Sequence, residues 1–190
     1  DCRDLTLRPV PVPADVAVVV LEGAKPLDVG IPAQMFTNRP SMPYAVRVCG
    51  VRAGLVPGAD GLSYHVEQGL EALDDADLIF IPGYLPPDTQ PPPAELVRAL
   101  IRAHEGGARL AAISTGAFAL AATGLLDGHR ATTHWHYFDR FARDYPNVRL
   151  KRQYFIPQAD RLYCAGSVNA LADVTVHLIE QFFGRDVASH

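Results

Sequence analysis

Lysine is almost missing from this 190-residue chain: Lys25 and Lys151 are the only two among 17 basic residues. Against 21 acidic residues the formal net charge is -4, and the arginines form no run or stripe. That excludes nucleic-acid binding through the chain's own electrostatics, because such affinity comes largely from neutralised phosphates. Cysteine is scarce as well. Cys2, Cys49 and Cys164 are odd in number, widely spaced and without a C-x-x-C. A disulfide framework and a zinc site are excluded on that spacing, and a reducing cytoplasm is the expected compartment. No apolar run reaches the roughly 20 residues that span a bilayer, so no membrane contact is expected. No basic stretch followed by a long apolar one opens the sequence, so no secretory leader is expected there. Repeats are absent.

What is present is an alternation of short apolar runs with helical patterns. Val16 to Leu21 is a β-branched run, as in a strand covered on both faces. Pro26 to Phe36 has helical spacing, with Leu27, Ile31, Met35 and Phe36 on one side. Further strands are expected at Tyr44 to Val51, Asp77 to Gly83, Arg109 to Ile113 and Leu162 to Ala165. Shorter ones are expected at Ala131 to Thr133, Val148 to Lys151 and Tyr154 to Pro157. Ala94 to His104 reads as an amphipathic helix closed by Gly106-Gly107. A further helix follows from His136 to Asp144. The last runs from Asn169 to Phe183, with Ser167 as its N-cap. Arg52 to Val66 is glycine-bearing and β-prone, a hairpin or an edge excursion. The pattern argues α/β architecture with a mostly parallel sheet and helices on both faces. Residues 1–13 are polar and proline-rich and are expected to be a disordered lead-in; 14–190 is expected to be one domain.

The organising stretch is Leu110 to Ala122. A strand that turns at once into a helix puts one residue, Ser114, on a tight corner beside free N–H groups that favour an anion or oxyanion. In open α/β sheets ligands sit off the carboxyl ends of the strands. Asp28 follows the first strand, Gly83 the third and Ser114 the fourth, so the three are expected to line one crevice. Asp28 also lies near the start of its helix, where a carboxylate is favoured. His134 and His136 form an H-x-H pair without a third ligand at usable spacing, so neither a metal nor a cofactor is expected. His134 is instead a candidate contact to a ligand or a partner subunit. Trp135 and His177 read as packing residues, and Cys49 and Cys164 as buried small hydrophobes. Pro86 to Pro93 reads as a solvated loop.

Several segments carry a resemblance. They are Gly23-Ala24-Lys25-Pro26-Leu27-Asp28, Asp77 to Gly83, Ile113-Ser114-Thr115-Gly116, and above all Leu120 to Trp135. Ala165-Gly166 and the helix after it complete the set. On these the chain resembles the ThiJ/PfpI group of the class I glutamine amidotransferase-like superfamily. Within that group it is similar to the sensor-like N-terminal domain of AraC-type transcriptional regulators. The resemblance implies a flavodoxin-like doubly wound sheet and a homodimer. It also implies a pocket with a cysteine at the elbow, an acid from the first helix and backbone donors after the third strand. Asp28 matches the acid and Gly83 the donor loop, with Tyr84 where many relatives have a second glycine. Ser114 replaces the cysteine, and Thr115 follows it. A hydroxyl needs a general base where a thiol does not, and none adjoins it in sequence. The expected function is therefore non-catalytic sensing of an unknown small-molecule effector through Asp28, Gly83, Tyr84, Ser114, Thr115 and His134. DNA would be bound only through a C-terminal helix-turn-helix domain. The alternative is a stand-alone enzyme similar to isonitrile hydratases or amidases.

Overall fold

The computed structural model describes residues 14–36, 44–84, 91–152, 155–157 and 161–185. Its centre is a six-stranded sheet. In chain order the members are β1 (Ala14–Val19), β2 (Tyr44–Cys49), β5 (Leu78–Ile81), β6 (Arg109–Ile113), β9 (Phe155–Pro157) and β10 (Leu162–Ala165). They lie in the order β2-β1-β5-β6-β10-β9. Every pairing is parallel except the last, where β9 runs antiparallel to β10 at the edge. The excursion between β2 and β5 is an antiparallel hairpin of β3 (Gly54–Pro57) and β4 (Ser63–Val66). A two-residue parallel ladder joins β7 (Arg130–Ala131) to β8 (Arg149–Leu150).

The first strand shows why the sheet is buried on both faces. Val16, Val18 and Val20 pack into one apolar cluster, and Ala17, Val19 and Leu21 into the other. Alternate side chains of a strand point to opposite faces, so an unbroken apolar run needs cover on both sides. On one face that cover is α1 (Pro26–Met35) and α5 (Val168–Phe183), through Val29, Leu171, Val174 and Leu178. On the other it is α2 (Ala94–Glu105), α3 (Gly116–Ala121) and α4 (Phe138–Asp144). In α2, Leu96, Ala99, Leu100 and Ala103 form the inward stripe at helical spacing. Phe118 of α3 meets Phe141 of α4 edge to face, centroids 5.0 Å apart. The arrangement is the expected doubly wound α/β fold.

Several local expectations need correction. The inward face of α1 is Asp28, Val29 and Pro32, with Phe36 just beyond, whereas Leu27 is 61% exposed. Of the expected stripe Leu27 alone faces out: Ile31 and Met35 are half-buried and pack against the same cluster as Phe36. Trp135 is 70% exposed, not packed. It sits in a short 3-10 turn, Trp135–Tyr137, that precedes α4, so the expected single helix from His136 is split. The strand expected at Ala131 to Thr133 is Arg130–Ala131, and Thr133 lies beyond it with its hydroxyl donating to the Ser114 carbonyl. The segment expected as a strand from Val148 to Lys151 pairs only over Arg149–Leu150. His177 is half-buried on α5 and bonded to Gln181, 3.0 Å away. The Ser167 cap holds: its hydroxyl accepts from the Ala170 N–H at 3.5 Å. The lead-in at 1–13 and most of the proline loop lie outside the described residues, as does Tyr154 of the strand expected at Tyr154 to Pro157.

Candidate functional site

The chain leaves β1 toward β2 on one side of the sheet and returns to place β5 on the other. The crevice of such a sheet opens where the order reverses, here between the carboxyl ends of β1 and β5. Asp28 enters from α1 on the β1 side. Gly83 follows β5 two residues after its end, and Ser114 follows β6, the next strand over. The three meet. The Gly83 N–H donates to Asp28 Oδ2 at 3.1 Å. A Cβ on Gly83 would lie 2.8 Å from that oxygen, 3.1 Å from Ser114 Cβ and 3.3 Å from Ser114 Oγ. Glycine is therefore required here by space, since backbone, carboxylate and hydroxyl share one point.

Ser114 has φ +55°, in the left-handed region. A non-glycine residue there carries roughly 1–2 kcal/mol of backbone strain, and it persists only where neighbours over-determine it. They do so here. The Ser114 N–H donates to the Ala165 carbonyl at 2.7 Å, fixing the corner to β10. The Ser114 carbonyl accepts from Thr133 Oγ1 at 2.9 Å. The next residue, Thr115, clasps the loop after β5: its hydroxyl donates to the Tyr84 carbonyl at 3.0 Å and accepts from the Tyr84 N–H at 2.9 Å. Gly116 lets α3 start directly against β5, since a Cβ there would stand 2.0 Å from the Ile81 carbonyl oxygen. The corner is thus sewn to β5, β10 and the Thr133 segment at once.

Electrostatically the centre of the site is Asp28, which is 2% exposed. Burial raises its pKa from 3.8 to about 6, against the opposing pull of the Gly83 N–H and the Lys25 charge. The carboxyl therefore changes charge within two units of neutrality. His134 goes the other way: burial, then the nearby charges of Lys25 and His136, lower its pKa and favour the neutral imidazole. Its Nδ1 accepts from the His136 N–H at 3.3 Å, capping the 3-10 turn. Tyr84 is buried and its hydroxyl has no hydrogen-bond partner among the described residues. Cys49 and Cys164 are fully buried, and burial pushes both thiols up to about 12, so neither is a nucleophile for the crevice. No cluster of three metal-ligating side chains occurs among the described residues.

Of the six candidate residues, a hydrogen bond joins Asp28 to Gly83, Ser114 lies beside Gly83, and a pair of hydrogen bonds ties Tyr84 to Thr115 next to them. His134 is linked to them through its neighbour Thr133, which bonds the Ser114 carbonyl, and through the charge of Lys25. Thr133 was missed by sequence reasoning, and a threonine in a short polar segment gives no signal of such a contact. Missed also was a cavity of about 340 Å³ lined in part by Tyr84, beneath the β3–β4 hairpin.

Comparison with known proteins places this geometry. The DJ-1/PfpI family model matches residues 14–181. The HTH-type transcriptional regulator CdhR of Pseudomonas aeruginosa is 34% identical over 145 residues, 76% of this chain and 43% of that protein. The chain thus spans less than half the length of that relative. Isonitrile hydratase of Pseudomonas putida is 35% identical over 95 residues, 46% of this chain and 38% of the enzyme. Among solved structures, an AraC family transcriptional regulator from Pseudomonas putida superposes with a TM-score of 0.74. The identity is 22%, over 93% of this chain and 96% of that one, a likeness of fold.

Proposed function

The chain belongs to the DJ-1/PfpI family, and from that premise we propose that it is the ligand-sensing and dimerising domain of an AraC-type transcriptional regulator. It binds a small effector in the crevice of Asp28, Gly83, Tyr84, Ser114, Thr115 and His134 without turning it over. The carrying observation is the corner itself. Ser114 is held at a strained φ against a buried carboxyl, yet no imidazole or amine among the described residues is bonded to its hydroxyl. A serine without a base is a poor nucleophile but a good hydrogen-bonding group. The match to CdhR supports the regulatory setting. DNA contact is assigned to a further domain, since the -4 charge here disfavours it. The cytoplasm is the proposed compartment; among the described residues no helix is long and apolar enough to cross a membrane.

Thermal-shift screening of metabolite classes tests this reading. The expected result is a compound that raises the melting temperature of the parent but not of Ser114→Asp, which sets a second carboxylate against Asp28. If no class stabilises the parent, the crevice is not a sensor. Reading the source gene beyond the codon for His190 tests the setting: a helix-turn-helix domain with a basic balance is expected in frame.

A second reading, an enzyme acting on isonitriles or amides, is favoured by one observation. The Asp28 carboxyl, raised to about 6, is poised for proton transfer beside the corner. Turnover of such a panel by the parent, abolished in Ser114→Ala, would establish it in place of sensing.

A further inference from the structure

The cavity beneath the hairpin is walled by residues that, apart from Tyr84, lie outside the crevice. Val20 and Leu21 at the end of β1, Val51, Leu55 and Val56 on the hairpin side, and Pro93 before α2 make it mostly apolar. Tyr84 lines it too; Asp28, Gly83 and Ser114 do not. At about 340 Å³ it falls in the range of ordinary small-molecule sites, near their lower end.

Its roof is fixed in advance. The Gly23 N–H donates to the Pro57 carbonyl at 2.8 Å, the Ala59 N–H to the Ala24 carbonyl at 3.0 Å, and the Tyr64 hydroxyl to that same carbonyl at 3.2 Å. The hairpin is thereby bonded to the turn between β1 and α1. A site held open by backbone bonds does not have to be ordered by its ligand, which lowers the cost of binding.

Its charge is one-sided. The wall holds three charged side chains, Glu22, Arg52 and Glu95. Arg52 and Glu95 face each other, with Nη2 and Oε2 3.9 Å apart. Glu95 also lies in the first turn of α2, where the helix dipole favours a carboxylate. Both of these charges are matched within the protein. Glu22 is exposed, has no ion-pair partner among the described residues, and stands as the spare charge of a half-open, mostly apolar cavity. We propose that this cavity is a second small-molecule site, specific for a short apolar chain carrying an ammonium group, with the chain against Val20, Leu55 and Val56 and the cation at Glu22. It shares Tyr84 with the crevice but not Asp28, Gly83 or Ser114, and stands whether or not the crevice binds an effector.

The test is a titration with hexylammonium, hexanoate and hexanol, followed by backbone amide shifts in an NMR spectrum of the 190-residue chain. Hexylammonium is expected to saturate, with its largest shifts at Val20, Leu55 and Val56, and to bind up to about fivefold more tightly than hexanoate, the most that an exposed ion pair supplies. Glu22→Gln, a surface change that leaves the fold alone, is expected to erase that preference while hexanol binding stays. Glu105→Gln, an equal loss of charge at the far end of α2, is expected to change nothing. Val56→Phe, which fills the chamber, should abolish all three titrations. The proposal is overturned by hexanoate binding as tightly as hexylammonium, by shifts that never saturate or fall elsewhere, or by Glu22→Gln and Glu105→Gln having equal effects.

Discussion

Asp28 and Gly83 are 55 residues apart in the chain and joined by one hydrogen bond of 3.1 Å, donated by the Gly83 N–H to the carboxylate oxygen. That bond opposes the desolvation of the carboxyl without cancelling it, so the pKa still rises to about 6. The sign of the resulting pH dependence is fixed. Between about 4 and about 6 the folded chain holds a proton that the unfolded chain has released, so stability falls as pH rises through that window. Two units correspond to about 3 kcal/mol. Asp28→Asn keeps a carbonyl acceptor for Gly83 and carries no charge. Urea unfolding at several pH values should show the parent losing stability relative to Asp28→Asn from pH 4 upward, with the gap constant above about pH 7. A gap that widens as pH falls would mean that the fold prefers the ionised carboxyl.

Gly83 itself allows the sharper mutational test. A methyl group there would overlap Asp28 Oδ2 at 2.8 Å and crowd Ser114 Cβ at 3.1 Å. Neither partner has room to retreat, since both are nearly fully buried. Gly83→Ala is expected to destabilise the chain by about 1–3 kcal/mol, the ordinary range for overpacking. It is also expected to remove any ligand-induced rise in melting temperature. A variant that unfolds at the parent's midpoint and still responds to ligand would show that the three groups do not form the site.

The convergence of Asp28, Gly83 and Ser114 was legible in the sequence because α/β topology forces the carboxyl ends of neighbouring strands together. Other features were not. Periodicity put Leu27 inside α1, since no pattern rule turns a carboxylate inward unless its distant donor, Gly83, is already known. Trp135 read as packing because large aromatics usually pack, whereas a 3-10 turn capped by His134 carries it outward. The cavity beneath the hairpin depends on backbone bonds from Gly23 and Ala59 to partners across the chain, which leave no trace in residue type.

Two glycines in helices are expected to respond in opposite directions to the same substitution. At Gly116 a Cβ would stand 2.0 Å from the Ile81 carbonyl oxygen and 2.8 Å from that of Pro82. Backbone cannot yield there without separating α3 from β5, so Gly116→Ala should cost more than about 4 kcal/mol or abolish folding, the scale reserved for gross packing failure. At Gly30, exposed in the middle of α1, a Cβ meets nothing within 4 Å. Gly30→Ala should stabilise by about 0.5–1 kcal/mol through helix propensity alone. Denaturant midpoints decide both, and equal effects would mean that α3 does not dock as closely as the geometry has it.

The strain at Ser114 can be separated from the chemistry of its hydroxyl by comparing two truncations. Ser114→Ala removes the oxygen and keeps a Cβ at φ +55°. Ser114→Gly removes the oxygen and the strain together, because glycine occupies the left-handed region without a clash. The glycine variant also gains freedom in the unfolded chain, which offsets part of the relief. The net expectation is that Ser114→Gly is more stable than Ser114→Ala by about 1 kcal/mol, measured by urea unfolding at one pH. Both should lose the effector response if the hydroxyl contacts the ligand. A response kept by Ser114→Gly alone would assign the residue a purely conformational part, with the backbone corner and not the side chain meeting the ligand. Equal stability of the two would mean that the corner relaxes in solution, and then Asp28 and Gly83, not Ser114, would fix the shape of the crevice.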